Sequence, residues 1–388
     1  MHILIIVAKG GMLVVYLDHS ATTKVSDEVM ETFTLANESF WANSSSLHNF
    51  GAIAEQVVIK ASRQILELVN ASNHQVIYTS GATESNNLAI KGLVKKDKVV
   101  HIITSKIEHP SVLEVVLELA NANVLVSYLD VTKKTEEIIK QLETLITKDT
   151  VLVSLMHVNS EMGLILPVKE IGEVIAKHPR IKYHVDAVQS IGKLDVNVDD
   201  FNIDLLSISA HKIHGIKGVG ALIKRREISL IPQIIGGGQM DGARSGTVNV
   251  AGAATLAKAM RMVMANKDES FLKIKRLFDY TREELAKIKE VKINSIMENQ
   301  SPFIINFVVT GVKGETMVHA LEEKKVFISA KSACSSKSKK ASYVLLALGF
   351  DEQIATESLR ISFTHTTTID EIDIFLKALK TSIDAFKK

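Results

Sequence analysis

Short apolar runs recur through the first part of this 388-residue chain, at residues 75–79, 101–105, 124–129, 151–158, 181–186, 205–209 and 220–223. Several are rich in Val and Ile and bounded by Gly, Ser or Asn, as buried strands are. Helix-like stretches lie between most of them; residues 51–69 and 111–121 show apolar side chains at three- and four-residue spacings. Such alternation predicts a largely parallel sheet covered on both faces. From about Ala265 the pattern changes. A long charged amphipathic helix is expected over 268–290. Strands follow at 303–309 and 326–329, and helices at 315–324, 343–348 and 370–386. The expectation is an α/β chain with a large, mostly parallel seven-stranded sheet domain and a smaller α+β domain.

Size and composition permit this. Hydrophobic residues make up 46% and charged residues 23%, as in an ordinary globular enzyme, and the formal net charge of +2 implies no strong attraction to nucleic acid or membrane. A single cysteine cannot form an intramolecular disulfide, which fits a reducing cytoplasm. The apolar run Ile3–Val7 is too short to span a bilayer. Residues 1–11 read as an extension, with Met12 the expected native start.

Two residues at the ends of apolar runs carry the first chemical signal. Asp186 closes the run that begins at Tyr183, and Lys212 closes Ser209-Ala210-His211-Lys212. A lysine that can form a Schiff base and an acid that can partner a pyridinium nitrogen suit pyridoxal phosphate (PLP). Each alone has a plainer explanation: a helix-capping aspartate and a surface lysine. The stretch TSGATESNN from Thr79 follows one strand and opens a helix. Its small residues and free helix N–H groups suit a phosphate, although a plain capped helix start with Thr83 as N-cap explains it equally well. Arg244, Ser245 and Thr247 form a second small-residue region suited to phosphate. His109, just past the run at 101–105, falls where a parallel sheet places ligands and could stack on a ring or move a proton. His211 and His214 lack the partners that a metal would need. The lone Cys334, flanked by Ser and Lys, is the one candidate thiol nucleophile, and a PLP site beside it points to sulfur chemistry.

Together these segments resemble the PLP-dependent cysteine desulfurases of the NifS/IscS type, in the class V aminotransferase group with PLP fold type I (aspartate aminotransferase-like). The likeness runs from YLDHSATT at Tyr16 to RISF at Arg360. It includes SSLH at Ser45, IEHPSV at Ile107, HVDAVQSIGK at His184, SAHKIHGIKGVGAL at Ser209 and SACSS around Cys334. The resemblance implies a cofactor-binding domain over 23–265, and a small domain from 12–22 and 266–388 carrying the cysteine loop at about 331–343. It implies that Lys212 bears PLP and moves protons at the substrate carbon, that Asp186 pairs with the ring nitrogen, and that His109 stacks on the ring. Gln189 and Ser160 fall where the ring hydroxyl is contacted. Ala82, Thr83, Ser209 and His211 would hold the phosphate, with Thr247 reaching that of a neighbouring subunit in a homodimer. Arg360 would bind the substrate carboxylate, with Asn43 nearby. Cys334 would take the sulfur of L-cysteine as a persulfide, leaving L-alanine.

Four departures from the family pattern stand out. Ser160 replaces an Asn; Ala42-Asn43-Ser44-Ser45 replaces Gly-Asn-Pro-Ser, which should loosen a rigid turn; Gln239-Met240-Asp241-Gly242 loses an Arg; and Lys331 replaces a Gly. Lys331, Lys337, Lys339 and Lys340 make the cysteine loop basic, which favours a thiolate and an acidic partner surface. The expected activity is L-cysteine desulfuration with transfer to an acceptor protein, for iron–sulfur cluster assembly or tRNA thiolation. The short stretch beyond the last helix weighs toward a tRNA thiolase. Two alternatives are a selenocysteine lyase or related PLP lyase, and a degenerate paralogue that acts as a binding partner.

Overall fold

The computed structural model describes residues 14–94, 98–121, 123–295, 298–330 and 341–387. Met12, Lys331, Cys334, Lys337, Lys339 and Lys340 lie outside them. In chain order the elements are β1 (Val15–Tyr16), α1 (Asp27–Ser39), α2 (Asn49–Leu68), β2 (His74–Thr79), α3 (Ala82–Lys91), β3 (Val100–Ser105), α4 (Pro110–Leu119), β4 (Val124–Leu129), α5 (Thr135–Leu145), β5 (Thr150–Met156) and α6 (Val168–Ile175). There follow β6 (Lys182–Asp186), β7 (Leu205–Ser209), β8 (Gly220–Arg225), α7 (Val250–Ala265), α8 (Lys267–Ala286), β9 (Val291–Ile293), β10 (Ile304–Val309), α9 (Gly314–Glu322), β11 (Val326–Phe327), α10 (Tyr343–Ala347), α11 (Glu352–Glu357), β12 (Ser358–Ser362) and α12 (Ile369–Phe386).

All seven strands expected in the first part of the chain join one sheet, in the order β2-β8-β7-β6-β5-β3-β4. Its pairings are parallel except where β8 runs against both of its neighbours. Helices cover both faces, so successive strand residues are buried alike; β3 and β7 are buried along their whole length. Alternate side chains serve opposite faces. Val76 and Tyr78 join the core shared by α2, α5, α6 and α7, whereas Ile77 joins Leu88 and Ala89 of α3 on the other face.

A second core gathers Val15 and Leu17 with Phe307, Phe375 and Leu379 over the antiparallel sheet β12-β10-β9. Helix α12 starts with a full capping box between Thr368 and Glu371. Helices α10 and α11 instead turn Val344, Leu345 and Ala355 into the core of the large sheet.

Local chemistry corrects two expectations. Helix α3 begins at Ala82 with Gly81, not Thr83, as its N-cap; Gly81 takes φ +155, a conformation that favours glycine. The turn at Ala42–Ser45 is held without proline, because the Asn43 side-chain oxygen accepts from the Ser45 N–H (2.9 Å) and its carbonyl from the Ser46 N–H (3.0 Å).

Candidate active site

Parallel strands end together, so the loops that leave those ends converge on one place. The ends of β2, β3, β5, β6 and β7 surround a cavity of about 400 Å³ lined by Ala82, Thr83, His109, Ser160, Asp186, Gln189, Ser209, His211, Lys212 and Arg360. Ten of the residues picked from sequence thus meet in one space. Three do not. Thr247 lies with Arg244 in a separate cavity of about 180 Å³, and Asn43 lines a third with Trp41 and Phe50. Cys334 is outside the described residues.

One end of the cavity is a cradle. Helix α3 points its first N–H groups there behind Gly81, and Ser209, His211 and Gly218 close in from the other side. Strand β8 passes so near that a Cβ on Gly220 would fall 2.6 Å from the Gly81 Cα, which is why no larger residue fits. Burial, with help from the Lys212 and Lys217 cations, holds the His211 imidazole down at about 4. It is therefore neutral near pH 7, and its Nδ1 lies 3.1 Å from the Thr22 hydroxyl.

The middle of the cavity holds the acid and the ring. Asp186 is 7% exposed at the end of β6; its carboxylate accepts from the Asn86 side-chain amide (2.9 Å) and the Val188 N–H (3.1 Å). The same Asn86 nitrogen donates to the Ser111 hydroxyl (2.8 Å), which lies 2.8 Å from His109 Nδ1. That Nδ1 also accepts the Ser111 N–H (3.1 Å) as the cap of α4. An imidazole nitrogen that accepts a backbone N–H carries no proton, so the His109 proton sits on Nε2. Burial lowers the His109 imidazole; Asp186 opposes this and Lys212 adds to it. Asn86 therefore sets both the acid and the ring. Sequence reasoning places it inside the TESNN stretch but gives it no role, because its pairing with Asp186 spans 100 positions.

Behind Asp186, Glu108 is fully buried, and its carboxyl accepts from the Ser105 hydroxyl at 2.5 Å. Burial pushes the Glu108 carboxyl well above the usual range, and the Asp186 charge adds to the effect. The two carboxyls thus face different surroundings: Asp186 accepts from two N–H groups, whereas Glu108 accepts from the Ser105 hydroxyl.

Lys212 sits on a single 3₁₀ turn straight after β7, and its amine donates to the carbonyls of Ser20 (2.6 Å) and Ala21 (2.8 Å). The Gln189 amide is fixed at both ends: it donates to the Ser20 carbonyl and accepts from the Lys193 amine, each at 2.9 Å. Burial, then the Lys212 and Arg360 cations, bring the Lys193 amine down to about 7. Arg360, in the middle of β12 and 1% exposed, donates from Nη2 to Asp18 (2.6 Å) and from Nη1 to the Ser160 carbonyl (2.9 Å). Ser160 thus contributes its main chain here, whatever its hydroxyl contacts.

An anion cradle, a buried carboxylate in mid-cavity, an imidazole beside it and a lysine amine beyond suit PLP. Fold and site together define a fold-type-I PLP protein. The chain belongs to the aminotransferase class-V family, whose model matches residues 15–375. It is 40% identical to a cysteine desulfurase IscS of Buchnera aphidicola over 96% of this chain and 93% of that one. A solved NifS-like protein is 33% identical and superposes with a TM-score of 0.87, covering 96% of this chain and all of the other. A structure of SspA in complex with cysteine is 32% identical with a TM-score of 0.77, covering 91% of this chain and 99% of that one.

Proposed function

We propose that this protein is a PLP-dependent L-cysteine desulfurase that turns L-cysteine into L-alanine and keeps the sulfur as a persulfide on Cys334. The observation that carries the reading is the convergence of Lys212, Asp186, His109 and Arg360 on one cavity with an anion cradle at its end. PLP, when bound, supplies an aldehyde that condenses with amines and a pyridinium that takes up carbanion charge.

The chain's residues do the rest. The α3 N–H groups, Ser209 and His211 would hold the phosphate. Asp186, set by Asn86, would pair with the ring nitrogen, and His109, set by Ser111, would lie beside the ring. Lys212 holds the cofactor and moves a proton at the substrate Cα. Arg360 binds the α-carboxylate, fixing which bonds face the amine. The Cys334 thiolate attacks the substrate sulfur: the S–S bond forms, the C–S bond breaks, and its electron pair stays with the substrate, which takes up protons to leave as alanine.

Cysteine as substrate is supported by the relatives named as cysteine desulfurases and by the neighbour solved with cysteine. A homodimer, in which Thr247 of one copy reaches the cradle of the other, follows from the family resemblance; within one copy Thr247 and Arg244 line a neighbouring cavity that shares Ser80 and Gly218 with the main one. The persulfide would pass to an acceptor protein for iron–sulfur cluster assembly or tRNA thiolation in the cytoplasm. Among the described residues no helix is long and apolar enough to cross a membrane.

The test is incubation with L-cysteine, with alanine assayed and the protein mass-mapped. Alanine with added sulfur on Cys334 is expected. No alanine defeats the reading; alanine without sulfur on Cys334 removes the thiol's role and keeps the cofactor's.

A further inference from the structure

We propose that Asp18 is a specificity-determining residue: it limits the Arg360 subsite to substrates with a single carboxylate and turns away amino acids that carry a second. The inference rests on Arg360 as the carboxylate-binding residue of the proposed desulfurase.

Arg360 is a fully buried guanidinium whose donors are already partly used. Asp18 takes Nη2 at 2.6 Å and the Ser160 carbonyl takes Nη1 at 2.9 Å, while Nε has no partner among the described residues. A buried donor left over beside a cavity marks where a further acceptor belongs. Asp18 is not free to withdraw. Its backbone bridges in parallel to Ser362, two residues from Arg360, and is clamped on both sides: the Ser362 N–H donates to the Leu17 carbonyl (2.7 Å) and the Ser20 N–H to the Ser362 hydroxyl (2.8 Å). The cation is therefore neutralised in place by a carboxylate on the same scaffold.

A substrate carboxylate that reaches Arg360 makes two anions at one cation. That is tolerable once, because the guanidinium has donors to spare. A second carboxylate on the substrate side chain would add a further anion beside the Asp18–Arg360 pair and Asp186, and the cations described there already have partners: Arg360 holds Asp18, and Lys212 donates to the Ser20 and Ala21 carbonyls. The side chain accepted is then neutral, as a thiol is. Discrimination arises from repulsion built into the site rather than from an added attraction.

The experiment uses the full-length protein carrying its cofactor, and reads the shift of the visible absorbance on titration with L-asparagine and L-aspartate, which match in shape and differ in charge. The wild type should bind asparagine at least about tenfold more tightly. In Asp18→Asn, which keeps an acceptor for Nη2, that preference should shrink several-fold and the KM for L-cysteine should fall by roughly tenfold. Cysteamine, which lacks a carboxylate, should bind both proteins alike. Equal binding of the two amino acids by the wild type overturns the inference without need of a variant. So does a KM that rises in Asp18→Asn, which would make Asp18 a mere prop for Arg360, or an equal change for cysteamine. Failure of the wild type to make alanine defeats the desulfurase reading instead, whatever the binding order.

Discussion

Asp186, Ser209, Lys212 and His109 reach the cavity from consecutive regions of one sheet, each at or just past the end of a strand. Ser20, Ala21 and Arg360 reach it from opposite ends of the chain, joined through the Asp18–Arg360 pair, 342 positions apart, and the bridge to Ser362. The first wall is stiffened by a core packed on both faces, and each residue's place follows from its own strand. The second is a seam between distant parts of the chain, held by contacts across it as well as by local ones such as the Ala21 N–H to the Asp18 carbonyl (3.0 Å). The sheet wall is suited to holding a cofactor in one geometry. The seam is suited to reading what comes and goes.

This division can be tested by asking which wall each property tracks. Lys212→Ala should abolish the visible absorbance and reduce alanine formation by more than about 10⁴-fold, because attachment and proton transfer are both lost. Asp186→Asn should cost roughly 10³-fold in kcat, with PLP still attached to Lys212, since a neutral partner no longer holds the ring nitrogen protonated. Arg360→Lys should raise the KM for L-cysteine by on the order of 10²-fold, since one amine cannot serve Asp18, Ser160 and a substrate together. Its absorbance should stay that of the wild type; a cofactor lost from this variant would break the division.

A smaller effect concerns acid. His184, two residues before Asp186, is fully buried between the hydroxyls of Ser154 (2.8 Å) and Ser207 (2.9 Å), and burial lowers its imidazole to about 4. The unfolded chain takes up this proton near pH 6.5 and the native one does not. The stability it confers is thus complete above pH 6.5 and lost as pH falls toward 4, by about 3 kcal/mol in total. Tm measured between pH 7 and pH 4 should fall less steeply in His184→Gln than in the wild type. Equal slopes would mean that acid loosens the seam first.

Strand runs were legible because burial on both faces writes them as continuous Val and Ile. The expected 205–209 matches β7 residue for residue, and 101–105 misses only Val100 of β3. Helix α7 escaped notice because its Ala and Gly residues carry little amphipathic contrast, yet they let it lie close against α1 and α2. Strand β12 was visible only as the RISF stretch, since its partners lie far off in the chain.

For the site, the residue types and their strand ends could be read directly. Lys212, Asp186 and His109 each stand where a local run stops. The roles of Asn86, Ser111 and Glu108 could not be read, because each acts through a side chain brought near by packing: Asn86 meets Asp186 across 100 positions. Sequence alone therefore determined which chemical groups the chain would offer, since the pattern that makes a strand also fixes where it ends. Only the tertiary structure decided how those groups are charged and what they face. Burial that removes water from Glu108, and the seam that sets Asp18 against Arg360, are properties of distances that a linear chain does not contain.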